Sequence, residues 1–181
     1  MQNLENMHLS DEEFARMTRY SNYAPTEDGR RRAVLMGFDK PGTVVQNHSV
    51  VRPRNKDAIG ENVNISFHCY VNGNVTIEDN VLIGPGCALT AGHHKFDPAT
   101  GWFSARTEPD GDDSIVIGRG SWLCANVTVT AGVKIGRSNL LCAGCVVTKT
   151  TPDHAIMAGV PAKQVGRIDP DTGEYVWFKK S

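Results

Sequence analysis

No window of this 181-residue chain approaches the roughly 20 consecutive apolar residues that a membrane-spanning helix requires, and the amino terminus, MQNLENMHLSDEEF, lacks the basic stretch and apolar run of a secretory leader. Neither sign of charge is in excess. Lys plus Arg number 19 against 20 for Asp plus Glu, a formal net charge of -1, so the total charge gives no reason to expect nucleic acid or an anionic membrane as a partner. Cysteine is sparse and odd in number: the five thiols are Cys69, Cys87, Cys124, Cys142 and Cys145, which argues against a disulfide framework. Cys142 and Cys145 form a C-A-G-C run, but inside a repeat rather than at a strand-to-helix turn, so small core residues are expected there instead of a redox pair. These absences point to a soluble cytoplasmic protein without membrane insertion, long enough for one well-buried domain.

What the chain has is a period. An aliphatic residue recurs every six positions at Ile59, Ile65, Val71, Ile77, Ile83 and Leu89, and after a gap at Ile117, Leu123, Val129, Ile135, Leu141 and Val147. A small or short residue follows four places later at Val63, Cys69, Val75, Val81 and Cys87, then at Ser121, Val127, Val133, Cys145 and Thr151, with His93 and Asn139 as departures. Six is too long a period for one helix face and is not a sustained two-residue alternation, so each hexad reads as a short strand plus a corner. Gly60, Gly84, Gly118 and Gly136 follow the aliphatic position, and Asn or Gly recurs nearby, as corners with unusual backbone angles require. The fold class expected is an all-β solenoid that stacks coil on coil and buries one column. A capping box at Ser10-Asp11-Glu12-Glu13, with Phe14 and Met17 behind it, predicts a helix over about residues 11 to 20. The charged segment 26–33, with three arginines, reads as a solvated face, and the apolar tail Tyr175-Val176-Trp177-Phe178 as a surface able to pack on a neighbour.

The period breaks once. From Leu89 to Ile117 is 28 residues where a hexad needs six, so 22 leave the solenoid, in a stretch broken by Pro98, Gly101, Pro109 and Gly111 and carrying Trp102, Phe103 and Arg106 as potential contact residues. His93 and His94 stand where this excursion departs. By phase, His93 takes a place that elsewhere holds an inward Val or Cys, and His94 the following corner place, facing outward.

The pattern resembles the hexapeptide-repeat acyltransferases, in particular the galactoside and maltose O-acetyltransferases and the neighbouring polysaccharide O-acetyltransferases, over about residues 50 to 168. Its most specific part is IGRGSWLCANVTVTAGVKIGRSNLLCAGCVVTKTTPDHAIMAGVPAKQVGRI, which looks like the family's tryptophan-containing coil, V-V-T-K segment and closing G-x-P-A-K/R loop. The resemblance implies a left-handed parallel β-helix with three hexads per coil, where the general rule for parallel crossovers would give the right hand. Residues 59–76, 77–94, 117–134 and 135–152 then make four complete coils, with 41–58 a degenerate earlier one. The β-helix domain is expected over 41–168, with the excursion at about 92–114, an N-terminal helical or extended segment over 1–40 and a tail over 169–181. It also implies acetyl-CoA as co-substrate, no metal, and a homotrimer with active sites between adjacent prisms. His94-Lys95-Phe96-Asp97-Pro98 resembles the H-P-x-D-P run that follows the catalytic histidine in the maltose group, which selects His94 as base; matching Gly92-His93 to the glycine-histidine pair of the galactoside group selects His93 and needs a one-residue gap.

By the same resemblance Trp122 lines the channel between reacting centre and cofactor, and Ala125 supplies a backbone N–H near the thioester. Ala143, Thr148 and Lys149 lie along the pantetheine and phosphates, and Lys163 and Arg167 meet the phosphates. Ser66, His68 and Asn72 stand where relatives bind the acceptor, but depart from them in kind. The function implied is O-acetylation of a hydroxyl on a sugar or polysaccharide precursor, by direct transfer with a histidine general base. N-acetylation of an amino sugar, or acetylation of a xenobiotic, uses a similar base and channel and stays open. A γ-carbonic anhydrase-like zinc protein shares the helix, and His68, His93 and His94 raise the question, but adjacent histidines suit one metal poorly. A noncatalytic hexapeptide scaffold or binding module is the remaining class.

Overall fold

The computed structural model describes residues 9–23, 26–107 and 111–179. Helix α1 (Asp11–Tyr23) starts at the predicted capping box: Ser10 Oγ accepts from the Glu13 amide (3.3 Å), and the Glu13 carboxylate accepts from the Ser10 amide (2.9 Å). Helix α2 (Thr26–Leu35) follows, and it corrects the reading of 26–33 as a solvated face. Gly29 and Ala33 are buried, and Phe38 beyond the helix is 1% exposed, so α2 covers the open first coil of the solenoid. Arg32 carries that docking, its Nη1 donating to Val45 O (2.5 Å) and its Nη2 to Asn47 Oδ1, while Arg30 bonds Asp39 (2.5 Å) beyond the helix and Arg31 pairs with Asp28 within it and stays exposed. Among the described residues no helix is long and apolar enough to cross a membrane.

The coils follow in chain order. The first holds β1 (Val44–Val45) and β2 (Val50–Pro53), and the second β3 (Asn64–Ile65), β4 (Tyr70–Gly73) and β5 (Val75–Ile77). The third holds β6 (Leu82–Ile83) and β7 (Ala88–Thr90), is interrupted by the hairpin β8 (His94–Asp97) and β9 (Trp102–Thr107), and closes with β10 (Ile115–Ile117). The fourth is β11 (Trp122–Leu123), β12 (Thr128–Thr130) and β13 (Lys134–Ile135), and the fifth β14 (Leu140–Leu141) and β15 (Val146–Val147). β16 (Ala155–Ala158) begins another turn, after which β17 (Lys163–Ile168) and β18 (Tyr175–Trp177) run back antiparallel.

Three parallel faces result: β1-β3-β6-β11-β14-β16 on the first, β2-β4-β7-β12-β15 on the second, and β5-β10-β13 on the third. This is a left-handed β-helix of hexapeptide repeats. Asn64 pairs with Leu82 and Trp122 with Leu140, a step of 18 residues, whereas Leu82 pairs with Trp122, a step of 40 that carries the 22 extra residues. The degenerate first coil is present too, lengthened by two residues (Val44 opposite Asn64) through a short 3-10 turn at Lys56–Ala58.

All twelve aliphatic positions point inward and are at most 2% exposed. Burying each contributes about 1.5–3 kcal/mol of transfer free energy. The shorter column is buried as well, including Asn139, whose amide donates to Arg137 O (3.1 Å) and Pro152 O (2.8 Å) while its oxygen accepts from Thr151 (2.8 Å). His93 does not take its expected inward place: it is exposed. The chain leaves the coil at Ala91, and Ile115, fully buried opposite Val75, fills the place that unbroken phase assigns to His93. Ala91 N donates to Asn72 O (3.0 Å) and Ile115 N to Asn74 O (2.9 Å), so the coil closes over its neighbour on both sides of the excursion.

Candidate functional site

The excursion returns on itself as a two-stranded ribbon, with His94 opposite Thr107, Phe96 opposite Phe103 and Asp97 opposite Trp102. The register shifts between His94 and Phe96, a bulge of the kind that re-aims side chains. There the His94 ring approaches the backbone of the other strand, its Nδ1 lying 2.8 Å from Ser104 O. His93 and His94 are both exposed, and among the described residues no hydrogen bond orients the His93 ring. Phe96 and Phe103 meet edge to face (centroids 5.5 Å), and with Trp102 they are 50–66% exposed. The side chain of Arg106 lies outside the described residues. The far end of the excursion is fastened by Lys134, which bonds Asp112 (3.0 Å) and Ser114 O (2.5 Å). Hydrogen bonds from Ser114, reinforced by Lys134, hold the Asp112 carboxyl at about 2.

The corner between the first and second faces carries a second group. Its left-handed residues are His48, His68, Gly86, Asn126 and Gly144, with φ between 58° and 72°. Each amide there donates to the preceding coil: His68 to Asn47 O (3.3 Å), Gly86 to Phe67 O (2.9 Å), Asn126 to Pro85 O (2.8 Å) and Gly144 to Ala125 O (2.9 Å). Ala125 and Ala143 therefore stack on successive coils, half-buried and exposed respectively, with Ser66 and His68 two and three coils away on the same edge. Trp122, 46% exposed, stands on the first face three residues before Ala125. Gly84 is required beneath: a Cβ there would lie 2.8 Å from Cys124 C and 2.9 Å from Ala125 N. Cys124 and Cys142 flank the two alanines at this corner and are only partly buried, so Cys142 is not the core residue expected; burial pushes both thiols up, which disfavours a thiolate nucleophile there. His48 is a site residue that the sequence pattern does not pick out. It lies one coil before His68 and 20 residues upstream, the step that the lengthened first coil sets, and its ring stacks on that of His68.

The remaining candidates lie elsewhere. Asn72 pairs with Thr90 at the corner between the second and third faces, beside the root of the excursion, and Thr148 and Lys149 are exposed at that same corner two coils on. Lys163 is exposed next to Ala162, whose amide donates to Val146 O (2.8 Å), and Arg167 is engaged with Asp169 (3.1 Å). One chain thus brings Asn72 near the excursion and gathers Ser66, His68, Trp122, Ala125 and Ala143 along another edge. Among the described contacts none joins His94 to Ala125, and the corners from which the two depart stand at opposite ends of the second face, about 15 Å of extended backbone apart.

The third corner holds recesses of about 510 and 430 Å³, but their walls are ion pairs and turn residues, including Asp79, Arg119 and Arg137, and no candidate residue lines them. Among the described residues no group of three His, Cys, Asp or Glu side chains is placed to hold a metal ion.

Residues 58–91 match the family described as bacterial transferase hexapeptide (six repeats). Over 175 residues the chain is 29% identical to the galactoside O-acetyltransferase of Escherichia coli, spanning 90% of this chain and 80% of that one. Over 158 residues it is 33% identical to a Staphylococcus haemolyticus protein named as an acetyltransferase, spanning 83% and 79%. Among solved structures, the maltose O-acetyltransferase of Clostridium difficile shares the fold, with a TM-score of 0.59 at 24% identity over 87% of this chain and 86% of that one.

Proposed function

Because this chain belongs to the hexapeptide-repeat acetyltransferases, we propose that it moves an acetyl group from acetyl-CoA to a hydroxyl of a sugar or polysaccharide precursor, with His94 as general base. The observation that carries the reading is the bond between His94 Nδ1 and Ser104 O. A carbonyl only accepts, so Nδ1 bears the hydrogen and the neutral ring keeps a lone pair on Nε2. That nitrogen takes the proton of the acceptor hydroxyl as its oxygen attacks the thioester carbonyl, and returns it to the departing thiol. Acetyl-CoA supplies the activated thioester. Ala125 N–H is the candidate donor to the charge developing on the carbonyl oxygen, and the small side chains of Ala125 and Ala143 leave room for a long ligand along their edge. Thr148, Lys149 and Lys163 are exposed to meet phosphates, whereas Arg167 would have to leave Asp169 to join them. Ser66, His68 and Asn72 remain the acceptor-side candidates, and the name of the Escherichia coli relative supports a glycoside as acceptor.

The separation of His94 from Ala125 supports a homotrimer in which the excursion of one copy meets the first corner of the next. His94→Ala should lower kcat about 10²–10⁴-fold in a thiol-release assay while coenzyme A binding and sedimentation stay as in the wild type. Retained turnover would return the role of base to His93, and a stable monomer with full activity would sink the shared site.

A further inference from the structure

The edge that carries Ala143, Ala125, His68 and Ser66 continues one coil toward the amino terminus, to His48. The His48 and His68 rings are stacked, with centroids 5.2 Å apart and planes 8° from parallel. Against His48, α1 lays Arg16, Met17, Tyr20 and Ser21, and the five side chains line a recess of about 340 Å³, within the roughly 300–1,000 Å³ of small-molecule sites. Its wall is fixed. Arg32 Nη2 donates to Tyr20 Oη (3.2 Å), and the same guanidinium is anchored on Val45 O and Asn47 Oδ1 of the first coil. Met17 and Tyr20 are nonetheless 53% and 45% exposed, so apolar surface faces outward from this wall.

Successive coils are about 4.8 Å apart, which puts His48 about 14 Å along the edge from the coil of Ala125. A pyranose ring seated at Ser66 and His68, two coils from Ala125, does not reach past that coil; a ring attached to it extends one coil further, to His48. Resting on the acetyl transfer proposed above, we infer that the recess is a second acceptor subsite, in which His48 and Tyr20 stack on the flat face of a six-membered ring joined by a glycosidic bond to the ring that is acetylated. The acceptor is thus a glycoside of at least two rings. A sugar and an aryl aglycone offer the same apolar face, and the polar atoms of Arg16 and Ser21 at the rim suit the hydroxyls of the former.

The test compares kcat/KM for methyl glycosides of galactose and glucose with that for the corresponding disaccharides and 4-nitrophenyl glycosides. The two-ring acceptors should be preferred at least tenfold, and His48→Ala should cut that preference about tenfold. Met17→Trp, which fills the recess while leaving both histidines in the chain, should do the same. A preference that stays within twofold of wild type in both variants overturns the subsite. Better use of disaccharides than of nitrophenyl glycosides identifies the ring as a sugar, and the reverse as an aglycone. Saturation-transfer NMR with the same disaccharides and no acetyl-CoA separates this inference from the reading it rests on. Contacts to the second ring that His48→Ala removes support the subsite even where no acetyl transfer is seen, and their absence in the wild type overturns it.

Discussion

Along the third corner of the prism, Asn62, Asn80, Gly120, Ser138 and His154 hold left-handed positions, as His68, Gly86, Asn126 and Gly144 do along the first, and at both corners the amide at that position donates one coil back. The side chains are where the two part. At the third corner Asp79 pairs with Arg119 (3.1 Å) and Arg137 with Asp153 (2.8 Å), and the two carboxylates also accept from the amides of Glu61 and Arg137. At the first corner the corresponding coils carry Ala125 and Ala143, half-buried and exposed, and neither side chain can form an ion pair. A rung-to-rung backbone bond holds the corner with or without side-chain help. Side chains that cap one another use up an edge of the solenoid, and side chains kept short leave it available to a ligand.

The strongest way to break that contrast is to fill the bare edge. Ala143→Trp should weaken coenzyme A binding about 10- to 100-fold by titration calorimetry, whereas Arg137→Trp on the capped edge should leave it within twofold; equal losses would mean that the corners do not differ in role. Gly84 and Gly136 sharpen the contrast at smaller cost. A Cβ at Gly136 would lie 2.5 Å from Pro152 C and O, and one at Gly84 would crowd the backbone of Cys124 and Ala125. Each glycine-to-alanine change should therefore cost about 1–3 kcal/mol in urea unfolding, but only Gly84→Ala should also alter coenzyme A affinity.

The smallest effect concerns pH. The Arg137 guanidinium, and then its amide, hold the Asp153 carboxyl below the ordinary range. Its folded pKa is depressed, so its stabilisation is present above the unfolded value of about 3.9 and is lost as the pH falls through the lower native value. Because the pair is exposed, Tm should differ by only a degree or two between wild type and Asp153→Asn at neutral pH, and the gap should close as the pH falls through the depressed native value. A gap that does not vary with pH would remove the ion pair from the account of the capped corner.

Much of the fold is legible in the sequence because a buried column tolerates few residue types: the twelve aliphatic positions are found by counting, and the 22-residue excess follows from the same count. The place of His93 is missed for a local reason. The six-residue phase extended to His93 runs past the point where the chain leaves the coil, although Ile115-Val116-Ile117 repeats the Val75-Thr76-Ile77 pattern and marks where the coil resumes. Helix α2 is hidden because only Gly29 and Ala33 enter its contact, and arginines that bind backbone oxygens look like arginines that face water. The site is less legible than the fold. The tautomer of His94 depends on a carbonyl ten residues away across a bulge, and the partnership of His48 with His68 depends on a coil whose period is 20 rather than 18.

The excursion enters above Asn72 and leaves above Asn74, two residues apart on the same neighbouring rung. To the solenoid, what lies between Ala91 and Asp112 is therefore an appendix plugged into a single socket, with Asp113 and Ser114 tied to Gly132 and Lys134 of the next coil. Its length and sequence can drift without the coil having to be rebuilt, so new chemistry at this port can arise by insertion or exchange of a loop while the scaffold stays the same. Grafting another β-ribbon between Ala91 and Asp112 is the corresponding route for redesign.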